Sequence, residues 1–290
     1  MILFLGHFYW RLLRNVAVLY LVFAGLLYLF QRKLQYFPDP TSVPLPRGPR
    51  YHRIEAVSLA TTDGLRLFAW HWPGSFTATL VIFHGNAGHR GHRLDWIEDL
   101  HSLGYGVFIL DYRGYGGSEG SPTEEGLYRD GEAALGWLGR QGIRDLVYFG
   151  ESLGCGVAVE LAKRQPPRAL ILQSGFSSAV DVARKAYPYL PVRLLMKDRF
   201  ESKEKMAKIL CPVLFIHGER DSIIPLKLGR ALYEAANEPK TWFPIAGADH
   251  NDLPWVGGKT YLDGIQEFLR GQVLGGKQSE WKRYESGEGV

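Results

Sequence analysis

The chain has 290 residues, 46% of them hydrophobic and 22% charged, enough apolar material to fill the core of one sizeable domain. Its net charge of +4 is unevenly spread: the first 53 residues carry +6, from seven basic side chains against Asp39, and the remainder carries −2. A body without a basic surplus argues against nucleic-acid binding, and two cysteines, Cys155 and Cys211, with no C-x-x-C spacing exclude a disulfide framework and a cysteine zinc site.

Val16 to Phe30 is an unbroken apolar run. A helix needs about 20 residues to cross hydrocarbon and at least ~17. The run reaches that length if Leu34, Tyr36 and Phe37 extend it while Arg32 and Lys33 snorkel. Trp10, Tyr20, Tyr28 and Tyr36 suit the interfacial zones. Gln31-Arg32-Lys33 follows where a signal peptide would place a small-x-small cleavage site, so residues 1–37 are expected to be a retained membrane anchor. Arg11 and Arg14 precede the span and Arg32, Lys33, Arg47 and Arg50 follow it, a near balance that leaves the face of the membrane open. Five prolines between Pro38 and Pro49 forbid helix and suggest an extended spacer over 38–50. The catalytic domain is then expected over 51–271, with a polar, glycine-rich tail at 272–290.

The body alternates strand and helix signals. Ile54–Leu59 and Leu65–Trp72, separated by Thr62-Asp63-Gly64, read as an edge hairpin. Leu80–Phe83, Val107–Leu110, Leu146–Phe149, Ala169–Leu172 and Val213–Ile216 are short, wholly apolar runs that fit parallel strands buried on both faces. Helical stretches such as Glu124–Arg140 lie between them. The class is therefore α/β, with a mostly parallel sheet covered by helices on both sides, and a site expected beyond the carboxyl ends of the strands.

Gly150-Glu151-Ser152-Leu153-Gly154 lies between such a strand and a helix, the context of a nucleophile elbow and of the α/β-hydrolase fold. Serine needs a base, and this fold orders its residues as Ser, acid, His. After Ser152 only His217 and His250 remain. His217 ends a strand and reads as structural; His250 lies in a late loop and reads as the base. Asp221, just beyond the strand Val213–Ile216, reads as the acid, with Glu219, Asp249 and Asp252 as rivals. The oxyanion donors are assigned to the backbone N–H groups of Leu153 and Asn86. His84 and Cys155 read as structural, and Asp111 and Arg113 are expected to pair. Tyr112 is an even choice between pocket and core. No cofactor or metal is expected; His89 and His92 have i, i+3 spacing but no third ligand in view.

These motifs together, His84-Gly85-Asn86-Ala87-Gly88, Asp111-Tyr112-Arg113-Gly114-Tyr115-Gly116, the elbow, Asp221 and His250-Asn251-Asp252, resemble those of the membrane-anchored ABHD hydrolases, and among them the Bem-like group. The likeness runs from about Phe30 to Leu269. It implies the triad Ser152, Asp221 and His250, and a small cap inserted at about 175–208. It also implies hydrolysis of lipid or other acyl esters, with acyl-protein thioesters as the alternative substrate class. A non-catalytic binding protein retaining the fold is the alternative from another class. The family often carries a different residue at position 151. Acyl-chain length and oligomeric state are not encoded in any motif.

Overall fold

The computed structural model describes residues 2–273. The apolar N-terminus forms a single helix, α1 (Ile2–Gln35), with Arg32 and Lys33 in its last turn, where cations complement the helix dipole. Its stretch His7–Gln35 is long and apolar enough to cross a bilayer. The elements that follow are β1 (Phe37–Pro38), β2 (Glu55–Ala60), β3 (Arg66–Trp72), β4 (Thr79–Phe83), β5 (Ala87–Gly88), α2 (Leu94–Ser102) and β6 (Gly106–Asp111). Next come α3 (Glu124–Arg140), β7 (Leu146–Glu151), α4 (Leu153–Arg164) and β8 (Ala169–Gln173). Three short helices, α5 (Ala179–Ala186), α6 (Val192–Leu195) and α7 (Ser202–Met206), precede β9 (Val213–Gly218), α8 (Leu226–Glu234), β10 (Lys240–Ile245) and α9 (Leu253–Gln272).

Eight strands form one sheet in the order β10-β9-β8-β7-β4-β6-β3-β2. The edge hairpin β2–β3 is antiparallel, and β3 also runs antiparallel to β6; the other pairings are parallel. Side chains alternate across the sheet, as a period of two requires. Val81, Phe83, Tyr148, Leu170 and Leu172 enter one core layer with Leu127 and Ala134 of α3 and Val157 of α4. Leu80, Ile82, Val147, Phe149 and Ile171 enter the other, with Trp96 and Leu100 of α2 and Tyr261 and Ile265 of α9. Because both faces are covered, the central strands read as continuous apolar runs. Thr123 caps α3 by accepting the Gly126 N–H at 3.0 Å, and Glu124 and Glu125 favour the same end electrostatically.

This topology positions the site. From β4 the chain leaves by α2 towards β6, on one side; from β7 it leaves by α4 towards β8, on the other. Neighbouring strands whose connections diverge open a crevice at their carboxyl ends. The register places Phe83 opposite Gly150, so the loop after β4 and the elbow after β7 start side by side. Gly154 makes the approach possible, since a Cβ there would lie 1.8 Å from the Phe83 carbonyl oxygen.

The proline-rich stretch runs along the body. β1 pairs in parallel with β5, the Asp39 N–H donates to Gly88 O, and Asp39 O accepts from Gly116 N at 2.8 Å. Tyr36 is buried in the core layer of Val81 and Phe83. After β8, α5 and α6 pack against the second half of α1, and Phe200 and Met206 of the chain that follows enter the core layer of α4.

Candidate active site

Ser152 takes φ 51 and ψ −116 at the start of α4. This conformation is costly for a residue with a Cβ. It is held by the Ser152 N–H donating to Gln173 O at 2.8 Å and by a turn too tight for a side chain at Gly150, where a Cβ would meet Cys155 backbone at 2.6 Å. His250 Nε2 lies 2.9 Å from Ser152 Oγ. Its Nδ1 lies 2.8 Å from Asp221 Oδ2. The other carboxylate oxygen of Asp221 accepts from the N–H groups of Ile223 at 3.0 Å and Ile224 at 2.7 Å. Burial pushes the Asp221 carboxyl up, but the hydrogen bond and charge of His250 and the Ile224 N–H outweigh it and hold the group below the ordinary carboxylate range. An ionised acceptor on Nδ1 keeps a lone pair on Nε2, facing the serine.

The rival acids have other work. Asp249 accepts from the N–H groups of His250 and Ser222, each at 2.7 Å, and so ties the loop of the base to the loop of the acid. Asp252 accepts the Asp249 N–H at 2.7 Å. His217 is buried, 3.0 Å from Ile224 O and 3.4 Å from Asp221, and props the acid loop. Cys155 is buried with its thiol on Gly150 O and Gln173 O, and burial pushes its pKa well above the ordinary thiol value.

Asn86 and Leu153 line the same cavity as Ser152 and His250. Asn86 is fixed by its carbonyl, which accepts from Phe37 N at 2.8 Å and Tyr115 OH at 2.9 Å. Among the described residues no acceptor engages its N–H. The loop carrying Asn86 is clamped to the elbow by Glu151, whose Oε2 accepts from Gly85 N at 3.0 Å and Arg93 Nε at 2.7 Å. Arg93 in turn donates to Ala87 O and His89 O. Burial alone raises the Glu151 carboxyl; Arg93 and the Gly85 N–H bring it below its ordinary value, so it is ionised. Glu151 is therefore a brace between the elbow and the loop of Asn86, a role that sequence reasoning misses because Arg93 lies 58 residues away.

One expectation is corrected, and one open choice falls to the core. Asp111 pairs not with Arg113 but with Arg90, through the Arg90 guanidinium and its N–H; Arg113 binds Asp63 and Asp130 instead. β6 ends at Asp111, and the loop beyond it carries Arg113 to Asp63 and to Asp130 of α3. Tyr112 is fully buried against His84 and Tyr115 and is not part of the cavity wall. The third neighbour of His89 and His92 is Asp39, with its Oδ2 3.6 and 4.0 Å from their Nε2 atoms. His89 Nδ1 accepts the Gly91 N–H, so its neutral ring carries the proton on Nε2, the atom that would have to ligate.

The cavity measures about 580 Å³, within the range of ligand sites. Its wall is mostly apolar and none of its lining residues is charged. Phe176, Val182, Ala183, Tyr187 and Met196 come from the cap segment, and Leu27, Tyr28, Gln31, Leu34 and Gln35 come from α1.

A serine on a strained elbow, hydrogen-bonded through histidine to an aspartate at the carboxyl ends of a mostly parallel sheet, defines an α/β hydrolase. Residues 74–201 match the family model described as serine aminopeptidase, S33. The chain is 43% identical over 274 residues to an uncharacterized protein of Mycobacterium tuberculosis, covering 89% of this chain and 95% of that one. It is 35% identical over 268 residues to protein bem46 of Schizosaccharomyces pombe (86% and 89%) and 33% over 259 residues to the lysophosphatidylserine lipase ABHD12 of Danio rerio (75% and 67%). The esterase Pf2001 of Pyrococcus furiosus has the same fold, with a TM-score of 0.69 at 20% identity over 81% of this chain and 99% of that one. The chain belongs to the ABHD family of α/β hydrolases, in its Bem46-like branch.

Proposed function

We propose that this protein is a membrane-anchored serine hydrolase that cleaves carboxylic esters through an acyl-Ser152 intermediate. The observation that carries the reading is the hydrogen-bonded chain Ser152–His250–Asp221 opening into an apolar cavity. His250 Nε2 takes the Ser152 hydroxyl proton as Oγ attacks the ester carbonyl carbon. The N–H groups of Leu153 and Asn86 stabilise the oxyanion, assisted by the positive end of α4. The carbon–oxygen bond to the leaving alcohol breaks, and the alcohol takes the proton from His250. Water then gives a proton to His250 and attacks the acyl-serine. Collapse releases the acid and returns the proton to Ser152 Oγ. Asp221 stays ionised throughout and stabilises the imidazolium. The esterase and lipase names among similar proteins support ester substrates, and α1 supports membrane attachment.

Ser152→Ala is expected to lower turnover of p-nitrophenyl butyrate by the detergent-solubilised full chain at least about 10³-fold, with its melting temperature preserved. Labelling of the wild type by a fluorophosphonate probe, absent in the variant, checks the same atom. Turnover by Ser152→Ala at the wild-type rate overturns the assignment.

A further inference from the structure

Helix α1 does more than tether. Leu27, Gln31, Leu34 and Gln35 line the cavity that holds Ser152, an i, i+4, i+7, i+8 stripe on one side of the helix. Leu26, Leu29 and Phe30, at the same height on its other side, are half or more exposed. One stretch of helix thus presents apolar side chains both outward and to the reacting centre. The inner face is locked in place. Gln31 donates to Leu195 O at 3.0 Å and accepts from Lys197 N at 2.7 Å. Gln35 donates to Asp198 O, and Arg32 binds the Asp198 carboxylate with two bonds. The amides of Gln31 and Gln35 are spent on the cap, so the α1 wall offers the cavity mainly hydrocarbon.

The contact between cap and α1 extends up the helix. Tyr20 OH donates to Tyr189 O at 3.0 Å, and Ala24 packs with Val180, Leu190 and Val192. Tyr20 precedes Arg32 by twelve residues, about 18 Å along a helix axis. If Arg32 and Lys33 sit among headgroups, Tyr189 and Leu190 lie inside the leaflet. Their neighbour Leu194 is 84% exposed and Tyr189 59%, a surface suited to hydrocarbon rather than water.

From this we infer that α1 and the cap together form the acyl-binding wall of the active site, so that α1 is a specificity element as well as a tether. The inference rests on the acyl-enzyme reading above. It assigns to α1 the acyl-chain selectivity of the site, with Leu27 setting how long a chain the wall admits.

The test uses the full chain in detergent micelles and a series of p-nitrophenyl acetate, butyrate, laurate and palmitate. Leu27→Trp fills the wall from the helix side. It is expected to lower kcat/KM for laurate and palmitate at least about tenfold, as steric discrimination in an apolar pocket does, with acetate changed by less than about threefold. Leu29→Trp, on the 67% exposed outer face, is expected to leave the whole series unchanged. Leu27→Ala is expected to shift preference towards longer chains, and it carries the test should Leu27→Trp misfold. An unaltered chain-length profile in both Leu27 variants, or a Leu29→Trp variant that shifts it equally, overturns the inference. Fluorophosphonate labelling of Ser152 separates the two readings: a labelled enzyme with an unshifted profile fails this inference alone, whereas an unlabelled wild type fails the hydrolase assignment.

Discussion

Glu151 sits between the nucleophile and the loop that carries Asn86, and its two carboxylate oxygens hold Gly85 N–H and the Arg93 guanidinium. It touches no reacting atom, so its effect passes through the position of the Asn86 N–H. Loss of one oxyanion donor costs about 10²–10³ in kcat, and a donor displaced but not removed costs less. Glu151→Ala is therefore expected to lower kcat about 10- to 100-fold on a short ester with little change in KM. Glu151→Gln keeps an acceptor for Gly85 and is expected to recover part of the loss. Steady-state kinetics on p-nitrophenyl butyrate checks the split. A rise in KM at unchanged kcat, or no difference between the two variants, contradicts the positioning role. Ser152, Asp221, His250, Asn86 and Leu153 were nameable as candidates because each lies in or just after a loop that follows a strand, where the chain order of the fold assigns places. Glu151 was not, since its partner Arg93 is 58 residues away and no local pattern links them. The expected pairing of Asp111 with Arg113 is overturned for the same reason: Arg90 lies 21 residues away in sequence, and only the fold brings it alongside.

At the level of elements, the cap base is fastened to the hydrolase core by a charge cluster. Glu160 of α4 accepts from Lys205 of α7 at 2.8 Å, from Arg164 at 2.8 Å and from Lys163 at 3.3 Å. Burial raises its carboxyl pKa, but the three cations outweigh burial and bring it down to about 2 from 4.5. A group with a depressed folded pKa stabilises the folded state above its unfolded value and loses that contribution as pH falls. The window here runs from about 4.5 down to about 2. Glu160→Gln is expected to destabilise the protein by roughly 2 kcal/mol at pH 7, and the difference from wild type should shrink through that window. Melting temperatures of both proteins at stepped pH measure it. Asp130, whose burial beside Arg113 raises its carboxyl to about 6, tilts both curves equally and drops out of the difference. A gap between the two proteins that is constant from pH 7 to pH 2 counts against the ion cluster. Strands and helices of the body were readable because burial on two faces leaves apolar runs and burial on one leaves a helical stripe. The inner face of α1 was not, because a side chain facing lipid and one facing an acyl pocket are the same residue types.

In the whole molecule, an N-terminal segment of +6 is joined to a body of −2, and the joint is not a loose one. Tyr36 lies in the core, Phe37 and Pro38 pair with the loop of Asn86, and Gln31, Arg32 and Gln35 hold the cap. An apolar N-terminal helix is compatible with either a cleaved leader or a retained anchor, and the two readings predict different fates for its packing. Cleavage after Phe30 would remove Leu27 and Tyr28 from the cavity wall and uncover Val180, Leu190 and Val192, which pack on Ala24. That exposes apolar surface at about 25 cal/mol per Å² and opens the site to water. The active protein should therefore keep α1. Intact mass spectrometry of the protein purified from membranes is expected to give a chain that still contains α1, resistant to alkaline carbonate extraction. The decisive comparison is within one preparation: fluorophosphonate labelling followed by mass analysis reports whether the labelled, competent molecules are the long ones. A labelled population beginning near Gln31, released by carbonate and as active on palmitate esters as the membrane fraction, would show the helix to be a leader and the wall it forms to be dispensable.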